Sequence, residues 1–219
     1  MRITVTDYLD VVSSWCFWSE PMWAELKRRY AGRVEFHWKV ALMDPSGLPK
    51  SREQEAWFYR RSGMMNRSPF MLSTDWYDAS LPEWLAPNCV AEAAKDFEIT
   101  DDRVRLAIAY AALREGKKVG DWEVAAQIAA AAGKIDEKTL LERAKSPDIE
   151  KRIRASTAEF HALQVTQRPT FVLDTEIGDR AVFSGFVKWP PLVAALDAML
   201  DDADAYTAFA AHFGAPPAS

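Results

Sequence analysis

Residues 3–21, ITVTDYLDVVSSWCFWSEP, decide the fold. The first part of this stretch alternates, with Ile3 and Val5 on one face, and its β-branched content predicts a strand. Apolar and aromatic residues then recur at helical spacing as far as Tyr30, so a helix follows the strand. Residues 34–40, VEFHWKV, alternate again. A helical crossover between two such strands predicts a parallel, right-handed strand–helix–strand unit.

The middle of the chain has almost entirely helical patterns. After turn residues at 43–50 (MDPSGLPK), helical patterns run from about Ser51 to Leu163. Residues 104–113 and 122–132 are rich in alanine, and Pro147 suits the first turn of a further helix. We therefore predict a compact helical subdomain.

Strand patterns return near the end of the chain. The runs PTFVL (169–173) and RAVFS (180–184) flank the turn pair Gly178-Asp179, which predicts an antiparallel hairpin. A helix from about Pro190 to Leu200 and a small, proline-rich tail follow. The predicted fold class is α/β: a thioredoxin fold (βαβ…ββα) with a large all-helical insertion. The predicted boundaries are 1–42 and 164–202 for the thioredoxin-like domain, 43–163 for the insertion, and 203–219 for a C-terminal helix or tail.

Composition and charge exclude several functional classes. The 219 residues are 49% hydrophobic and 27% charged, which is typical of a folded chain rather than a disordered one. The net charge of −5 and the lack of a basic stripe argue against nucleic-acid binding. Two cysteines and three scattered histidines give neither a disulfide framework nor a metal-ligand spacing. No signal-peptide core or run of about 18 apolar residues occurs, so we expect a cytoplasmic protein that does not act at a membrane.

The segment Ser13-Ser14-Trp15-Cys16 follows the first strand, and Pro21 lies eight residues after Ser13. With the later segment VTQRPTFV (165–172), this pattern resembles the DsbA-like thioredoxin-fold family, including FrnE-type oxidoreductases, kappa-class glutathione transferases and 2-hydroxychromene-2-carboxylate isomerases. In that family a C-x-x-C or S-x-x-S/C tetrad begins the first helix, and a cis-proline loop faces it. The resemblance covers almost the whole chain and implies that Pro169 is the cis-proline.

The tetrad has serine at the position of the attacking cysteine. A helix N-terminus carries a partial positive charge that stabilises a thiolate, but the Ser13 hydroxyl cannot form a mixed disulfide. Cys16 occupies the resolving position, and the neighbours of Cys89 suggest a helix start in the insertion. Ser13 could instead donate a hydrogen bond to the thiolate of a bound ligand, and Arg168 would add a positive charge. The resemblance implies glutathione as co-substrate. The family's acidic turn after the last strand is missing, however, because residues 184–189 are SGFVKW.

Each of these residues also has a structural interpretation. Ser13 is a favoured helix N-cap, and Cys16 suits a small buried side chain, which we favour for it. Trp15 and Trp18 could line a substrate site or belong to the core, and Arg168 could be a solvated loop residue. Residues 58–70, with three arginines and two methionines, could form a lid over an acidic, apolar substrate. We favour a polar surface segment there.

Three functional hypotheses remain open from the sequence. The first is an isomerase or transferase that uses glutathione or another small thiol on an organic acid, with no metal. The second is a thioredoxin-fold module that binds extended peptides without catalysis. The third is a thiol–disulfide oxidoreductase that uses Cys16. The alanine-rich helices would permit a homodimer. The predicted site consists of the catalytic residues Ser13 and Cys16 and the thiol-binding residues Ser14, Trp15, Trp18, Arg168 and Pro169.

Overall fold

The computed structural model of the protein describes residues 1–185 and 188–214. Within those ranges it contains a four-stranded sheet and eight α-helices. The strands are β1 (Ile3–Leu9), β2 (Val34–Val40), β3 (Thr170–Thr175) and β4 (Arg180–Ser184). The helices are α1 (Ser14–Arg29), α2 (Arg52–Met65), α3 (Leu85–Ala93), α4 (Arg103–Leu113), α5 (Trp122–Gly133), α6 (Glu137–Ala144), α7 (Pro147–Ala162) and α8 (Trp189–Phe213).

The sheet has the order β2-β1-β3-β4 and confirms the predicted topology. Strand β1 pairs with β2 in parallel across the α1 crossover, with Ile3 opposite Val34. On its other side β1 pairs antiparallel with β3, which continues into β4 through a hairpin. Gly178 in that turn has a φ of 102°, a conformation that glycine adopts without steric cost. The chain is therefore an α/β thioredoxin fold with the helices α2 to α7 inserted between β2 and β3.

Helices cover both faces of the sheet. On one face, buried side chains of β1 and β3 pack against α1 and α8; they include Ile3, Val5, Trp23, Leu26, Phe171, Leu173, Leu192 and Leu196. On the opposite face, Tyr8 and Val172 pack against Phe160 of α7. The alternation of β1 separates these two sets of residues, as the period of two requires. Helix α7 of the insertion thus covers the face of the sheet opposite to α1 and α8.

Two segments differ from the sequence-based prediction. Residues 66–84 contain no regular helix, although the pattern between Ser51 and Leu163 predicted one. Pro69 and Pro82 disfavour helix continuation there, and the buried Trp76 fixes the segment by donating a hydrogen bond from Nε1 to the Tyr59 hydroxyl, 2.9 Å away. At the other end of the chain, α8 continues to Phe213, well beyond the predicted end at Leu200.

A buried ion-pair cluster joins the insertion to α1. Arg105 of α4 is 3% exposed and pairs with Glu20 of α1 and Asp102. Its Nη2 atom lies 3.1 Å from Glu20 Oε2 and 2.7 Å from Asp102 Oδ1. Lys27 of α1 also pairs with Asp102. One arginine therefore neutralises two shielded carboxylates that belong to different parts of the fold.

We predict that Arg105→Ala lowers the free energy of unfolding by about 3–5 kcal/mol, because it removes the ion-pair partner of the partly buried Glu20 and one of the two partners of the buried Asp102. The matched control is Arg103→Ala, which removes an exposed arginine of the same helix that pairs with Asp101. We expect little change from the control, since exposed ion pairs contribute little. Urea unfolding of both variants makes the comparison. Equal, small effects would show that the cluster does not hold the insertion in place.

Candidate functional site

The loop between β1 and α1 is held by a network of buried polar groups. The Asp10 carboxylate accepts hydrogen bonds from the backbone N–H of Val12 and of Met43, both at 3.1 Å, and from Asn88 Nδ2 at 3.2 Å. Asn88 of α3 in turn accepts from the backbone N–H of Val11 at 3.0 Å. Three separate segments therefore fix the residues that lead into Ser13.

Ser13 is the N-cap of α1. Its backbone is extended (φ −70°, ψ 126°), and its Oγ atom accepts from the backbone N–H of Cys16 at 3.4 Å. This bond satisfies one of the unpaired N–H groups at the helix start. It uses the oxygen as acceptor, and the same hydroxyl also shares a side-chain hydrogen bond with the Cys16 thiol. A hydroxyl carries one hydrogen that it can donate to a ligand. The capping interpretation of Ser13 and the functional one are thus compatible.

The loop before β3 lies beside the start of α1. The Arg168–Pro169 peptide bond is cis. The Thr170 hydroxyl donates to the Gln167 carbonyl at 2.6 Å, and the Gly185 N–H donates to the Pro169 carbonyl at 2.9 Å. These bonds fix the Thr166–Arg168 segment against the end of β4. In the segment after β4 where the family's acidic turn is missing, Phe186 and Val187 lie outside the described residues.

Arg168 is more constrained than a solvated loop residue. Its guanidinium donates to the carbonyls of Ala41 (2.6 Å from Nε), Leu42 and Thr166 (3.2 Å from Nη1), and it lies 4.3 Å from the centre of the Phe160 ring. Burial lowers its pKa, and the nearby Asp10, Cys16 and Asp44 oppose that shift. Arg168 therefore joins the proline loop to the end of β2 while its positive charge stays close to the tetrad.

A cavity of about 390 Å³ opens between these elements. Its walls are the start of α1, the turn after β2, one face of α2 and the Thr166–Arg168 segment. Of the predicted site residues, Ser13, Ser14, Trp15 and Arg168 line this cavity together. Pro169 directly follows the lining segment. The volume is typical of a site for a small molecule.

Two predicted site residues lie elsewhere. Cys16 is 3% exposed and belongs to the core beneath the helix start. Trp18 packs against α2 and the segment after it: its Nε1 atom donates to Ser62 Oγ at 3.1 Å, and its ring centre is 5.3 Å from that of Phe70. Neither side chain lines the cavity wall described above.

Helix α2 contributes lining residues outside the predicted site, of which Phe58 and Arg61 belong to the segment 58–70 that could form a lid. Glu55, Phe58 and Arg61 face the cavity from this helix, while Met64 and Met65 are 79% and 69% exposed. Asp44 from the turn after β2 and the His161 imidazole from α7 also line the cavity. The basic segment 58–70 was the available signal for Arg61, whereas the pattern around Glu55 resembles an ordinary helix start.

Neither cysteine has the environment of a reactive thiol. Burial raises the pKa of Cys16, and the carboxylate of Asp7 raises it further. Burial also raises the pKa of Cys89, in α3, to about 12. Because the thiolate is the nucleophile, both groups are poor nucleophiles near neutral pH.

Asp7 lies on β1 beneath α1 and is 1% exposed. Within the described residues, its two carboxylate oxygens are the buried side-chain atoms that have no hydrogen-bond partner. Burial raises the pKa of Asp7 to about 8, and the nearby positive charges of Arg105 and Lys27 only partly oppose this. The folded protein therefore holds Asp7 protonated at neutral pH.

We predict that the unchanged protein loses stability as the pH rises because Asp7 must ionise on unfolding, and that Asp7→Asn abolishes this loss. In the unfolded chain this carboxyl ionises near 3.8, and in the folded protein near 8. Between these values the folded state binds more protons, so stability falls by up to about 1.4 kcal/mol per pH unit. Relative to the unchanged protein, we expect Asp7→Asn to gain roughly 2–3 kcal/mol between pH ~5 and pH ~7 in urea unfolding. Asp179→Asn, in the exposed hairpin turn, is the control, and parallel curves for Asp7→Asn and the unchanged protein would contradict the prediction.

Neither a membrane-spanning helix nor a metal cluster is found in residues 1–185 and 188–214. None of the helices there combines the length and apolar character that crossing a bilayer requires. No group of three or more histidine, cysteine, aspartate or glutamate side chains in these ranges could hold a metal ion.

The family model of the DSBA-like thioredoxin domain matches residues 4–197. The chain belongs to this family. The match includes both the tetrad and the proline loop, which are far apart in sequence and adjacent in the structure. A search of curated proteins gives no match.

Solved structures share the fold at low sequence identity. The cytosolic disulfide reductase DsbM from Pseudomonas aeruginosa has a TM-score of 0.71 and 18% identity over 90% of this chain and 98% of that chain. Its structure with GSH has a TM-score of 0.70 and 15% identity, with coverage of 90% and 99%. A 2-hydroxychromene-2-carboxylate isomerase has a TM-score of 0.63 and 13% identity, with coverage of 92% and 98%. At these identities the comparison establishes the fold.

Proposed function

We propose that the cavity at Ser13 binds a small thiol, with glutathione as the first candidate, and uses its sulfur as the nucleophile on an electrophilic organic acid. The observation that carries the proposal is the position of Ser13. A hydroxyl caps α1 and faces the cavity, while Cys16 is buried below it with a raised pKa. Since the chain has no accessible thiolate of its own at this site, the reactive sulfur must come from a ligand.

The cavity wall favours the anionic form of such a ligand. The start of α1 provides partial positive charge, the Ser13 hydroxyl provides a hydrogen-bond donor, and Arg168 provides a full positive charge nearby. Each of these lowers the pKa of a thiol bound there. The protein's part in the reaction is therefore to raise the fraction of thiolate and to orient it.

The rest of the lining suits an acidic substrate with an apolar body. Phe58 and Trp84 offer apolar surface, and Arg61 offers a guanidinium that can pair with a carboxylate. The thiolate would form a carbon–sulfur bond at an electron-poor double bond, and the electron pair of that double bond would move to the conjugated carbonyl. Bond rotation and loss of the thiolate give isomerisation, whereas retention of the sulfur and protonation of carbon give transfer.

Two relatives support this proposal. One solved neighbour is a structure of DsbM with GSH, and another is a 2-hydroxychromene-2-carboxylate isomerase. A reducing compartment such as the cytoplasm would supply the thiol, and DsbM is described as cytosolic. The proposal requires no metal, nucleic acid or membrane, and a homodimer is compatible with it.

We predict that Ser13→Ala weakens binding of glutathione or another small thiol about 10–100-fold at neutral pH, the effect of removing a hydrogen bond to a charged group. Isothermal titration calorimetry with glutathione, cysteine and 2-mercaptoethanol measures it. Ser13→Thr retains a hydroxyl and should recover much of the binding. Ser80→Ala, in an exposed turn where Ser80 donates to Asp78, is the control for loss of a hydroxyl elsewhere. Absence of thiol binding by the unchanged protein would reject the proposal.

We predict that the unchanged protein has little insulin-reduction activity and that Ser13→Cys increases it. The variant restores a C-x-x-C pair at the helix start, where the new thiolate is stabilised by the helix N-terminus. Turbidity of reduced insulin in the presence of dithiothreitol gives the rate. Ser14→Cys adds a cysteine to the same cavity without the C-x-x-C spacing and serves as the control. High activity in the unchanged protein, lost on Cys16→Ala, would instead support a disulfide oxidoreductase.

A further inference from the structure

Glu55 is a buried carboxyl group that faces the proposed thiol site. It lies in the first turns of α2, is 4% exposed, and lines the cavity together with Ser13. In contrast, Glu53 and Gln54 of the same helix point to solvent. The sequence pattern of α2 therefore places one acidic side chain inside the cavity.

A chain of buried donors fixes the Glu55 carboxyl. The Trp76 indole N–H donates to the Tyr59 hydroxyl, so the hydroxyl hydrogen of Tyr59 is available to Glu55, with which Tyr59 shares a side-chain hydrogen bond. Tyr59 and Trp76 are 2% and 1% exposed. The hydrogen bond from Tyr59 orients one carboxyl oxygen. The carboxyl group can still accept a proton or a hydrogen bond from the cavity that it lines.

Charged groups surround Glu55, but none of them forms an ion pair with it within the described residues. Burial raises its pKa to about 7, and the Tyr59 hydrogen bond opposes that shift. The titratable groups around it are Tyr77 from the irregular segment, Arg61 from its own helix, Asp44 from the turn after β2, and His161 and Arg168 across the cavity. None of the ion pairs formed within the described ranges includes Glu55.

We propose that Glu55 accepts the proton that a small thiol loses when it binds at Ser13, and returns that proton to the product. This inference rests on the proposed function. The S–H bond breaks, its electron pair stays on sulfur, and an O–H bond forms on the Glu55 carboxylate, directly or through one water. In a transfer reaction the proton then goes to the carbon that received electron density. In an isomerisation it returns to the thiolate when the ligand leaves.

The electrostatics of the cavity favour this transfer. Before it, a negative charge is located on a buried carboxylate without a cationic partner. Afterwards, the charge is on a sulfur next to the α1 N-terminus, the Ser13 hydroxyl and Arg168. The net charge of the cavity does not change, so no ion has to enter or leave water. The Ser13 hydroxyl and the Arg168 guanidinium are donors in this setting and cannot accept the proton.

The carboxylate of Asp44 and the imidazole of His161 also line the cavity. Hydrogen bonds from Ser46 lower the pKa of Asp44, which makes it a weak proton acceptor, and His161 differs from Glu55 in location. It is exposed at the end of α7, whereas Glu55 is enclosed. At equilibrium either group would keep the thiol proton from the buffer, so the proton count of the unchanged protein alone does not tell them apart. The counts measured for Glu55→Gln and His161→Gln therefore separate the two groups.

The experiment measures that proton count by calorimetry of glutathione binding at about pH 8, in buffers of different ionisation enthalpy. In the unchanged protein we expect close to zero protons released, because Glu55 is ionised before binding and keeps the thiol proton. Glu55→Gln should release close to one proton per thiol bound, or bind the neutral thiol about 10-fold or more weakly. Glu53→Gln, which removes an exposed carboxyl two residues away, is the control and should match the unchanged protein. His161→Gln tests the imidazole as the alternative proton acceptor, and its proton count should stay close to zero.

Each outcome decides the inference. Unchanged proton release in Glu55→Gln, with thiol binding intact, overturns the role of Glu55 and leaves the proposed function standing. Release that changes in His161→Gln instead assigns the proton to the imidazole. Absence of binding by the unchanged protein rejects the proposed function and this inference with it. If Glu55→Gln does not fold, Tyr59→Phe tests the same point: it removes the donor to Glu55, and the pH at which proton release begins should shift upward.

Discussion

The Asp10 carboxylate is the constraint on which the site depends. It follows the end of β1, and it accepts hydrogen bonds from its own loop, from Met43 three residues after β2, and from Asn88 of α3. Burial raises its pKa, and these three donors partly oppose the shift. One side chain thereby ties the thioredoxin-like sheet to the inserted helices, and Ser13 is positioned three residues later as a result.

Arg168 completes the same junction from the opposite direction. Its guanidinium binds the carbonyls that follow β2, and those residues are next to Met43, which Asp10 binds through its N–H. The end of β2 is therefore held by an acid on one side and a base on the other. The two charged groups are not in contact. Together they hold the residues after β2 that line the cavity, and the positive charge of Arg168 stays near the start of α1.

The sequence predicted those parts of the structure that depend on local patterns. Alternation gave β1 and β2, the Gly178-Asp179 turn gave the hairpin, and capping chemistry gave Ser13 its place at the start of α1. The place of Glu55 in the cavity wall could not be predicted in this way, because it depends on how α2 docks beside α1. Trp18 shows the same limit: it is close to the tetrad in sequence, but helix geometry turns it toward Ser62 and Phe70. The irregular segment 66–84 escaped prediction since its fixed point, Trp76, is held by a tertiary contact with Tyr59.

Replacing a cysteine by serine at the first position of the tetrad changes which step the fold can assist. A C-x-x-C site needs one thiol that is accessible and a second that can reach it. Here the group that lines the cavity is a hydroxyl, on a residue that is itself only 6% exposed. The remaining thiol lies beneath the helix beside the buried Asp7, where burial and the nearby acid disfavour its ionised form. The helix start keeps its positive potential, but the cysteine that would form a mixed disulfide there is absent. Such a site stabilises a negative charge that arrives with a ligand, and the protonation state of the acids around it then governs when that charge can form.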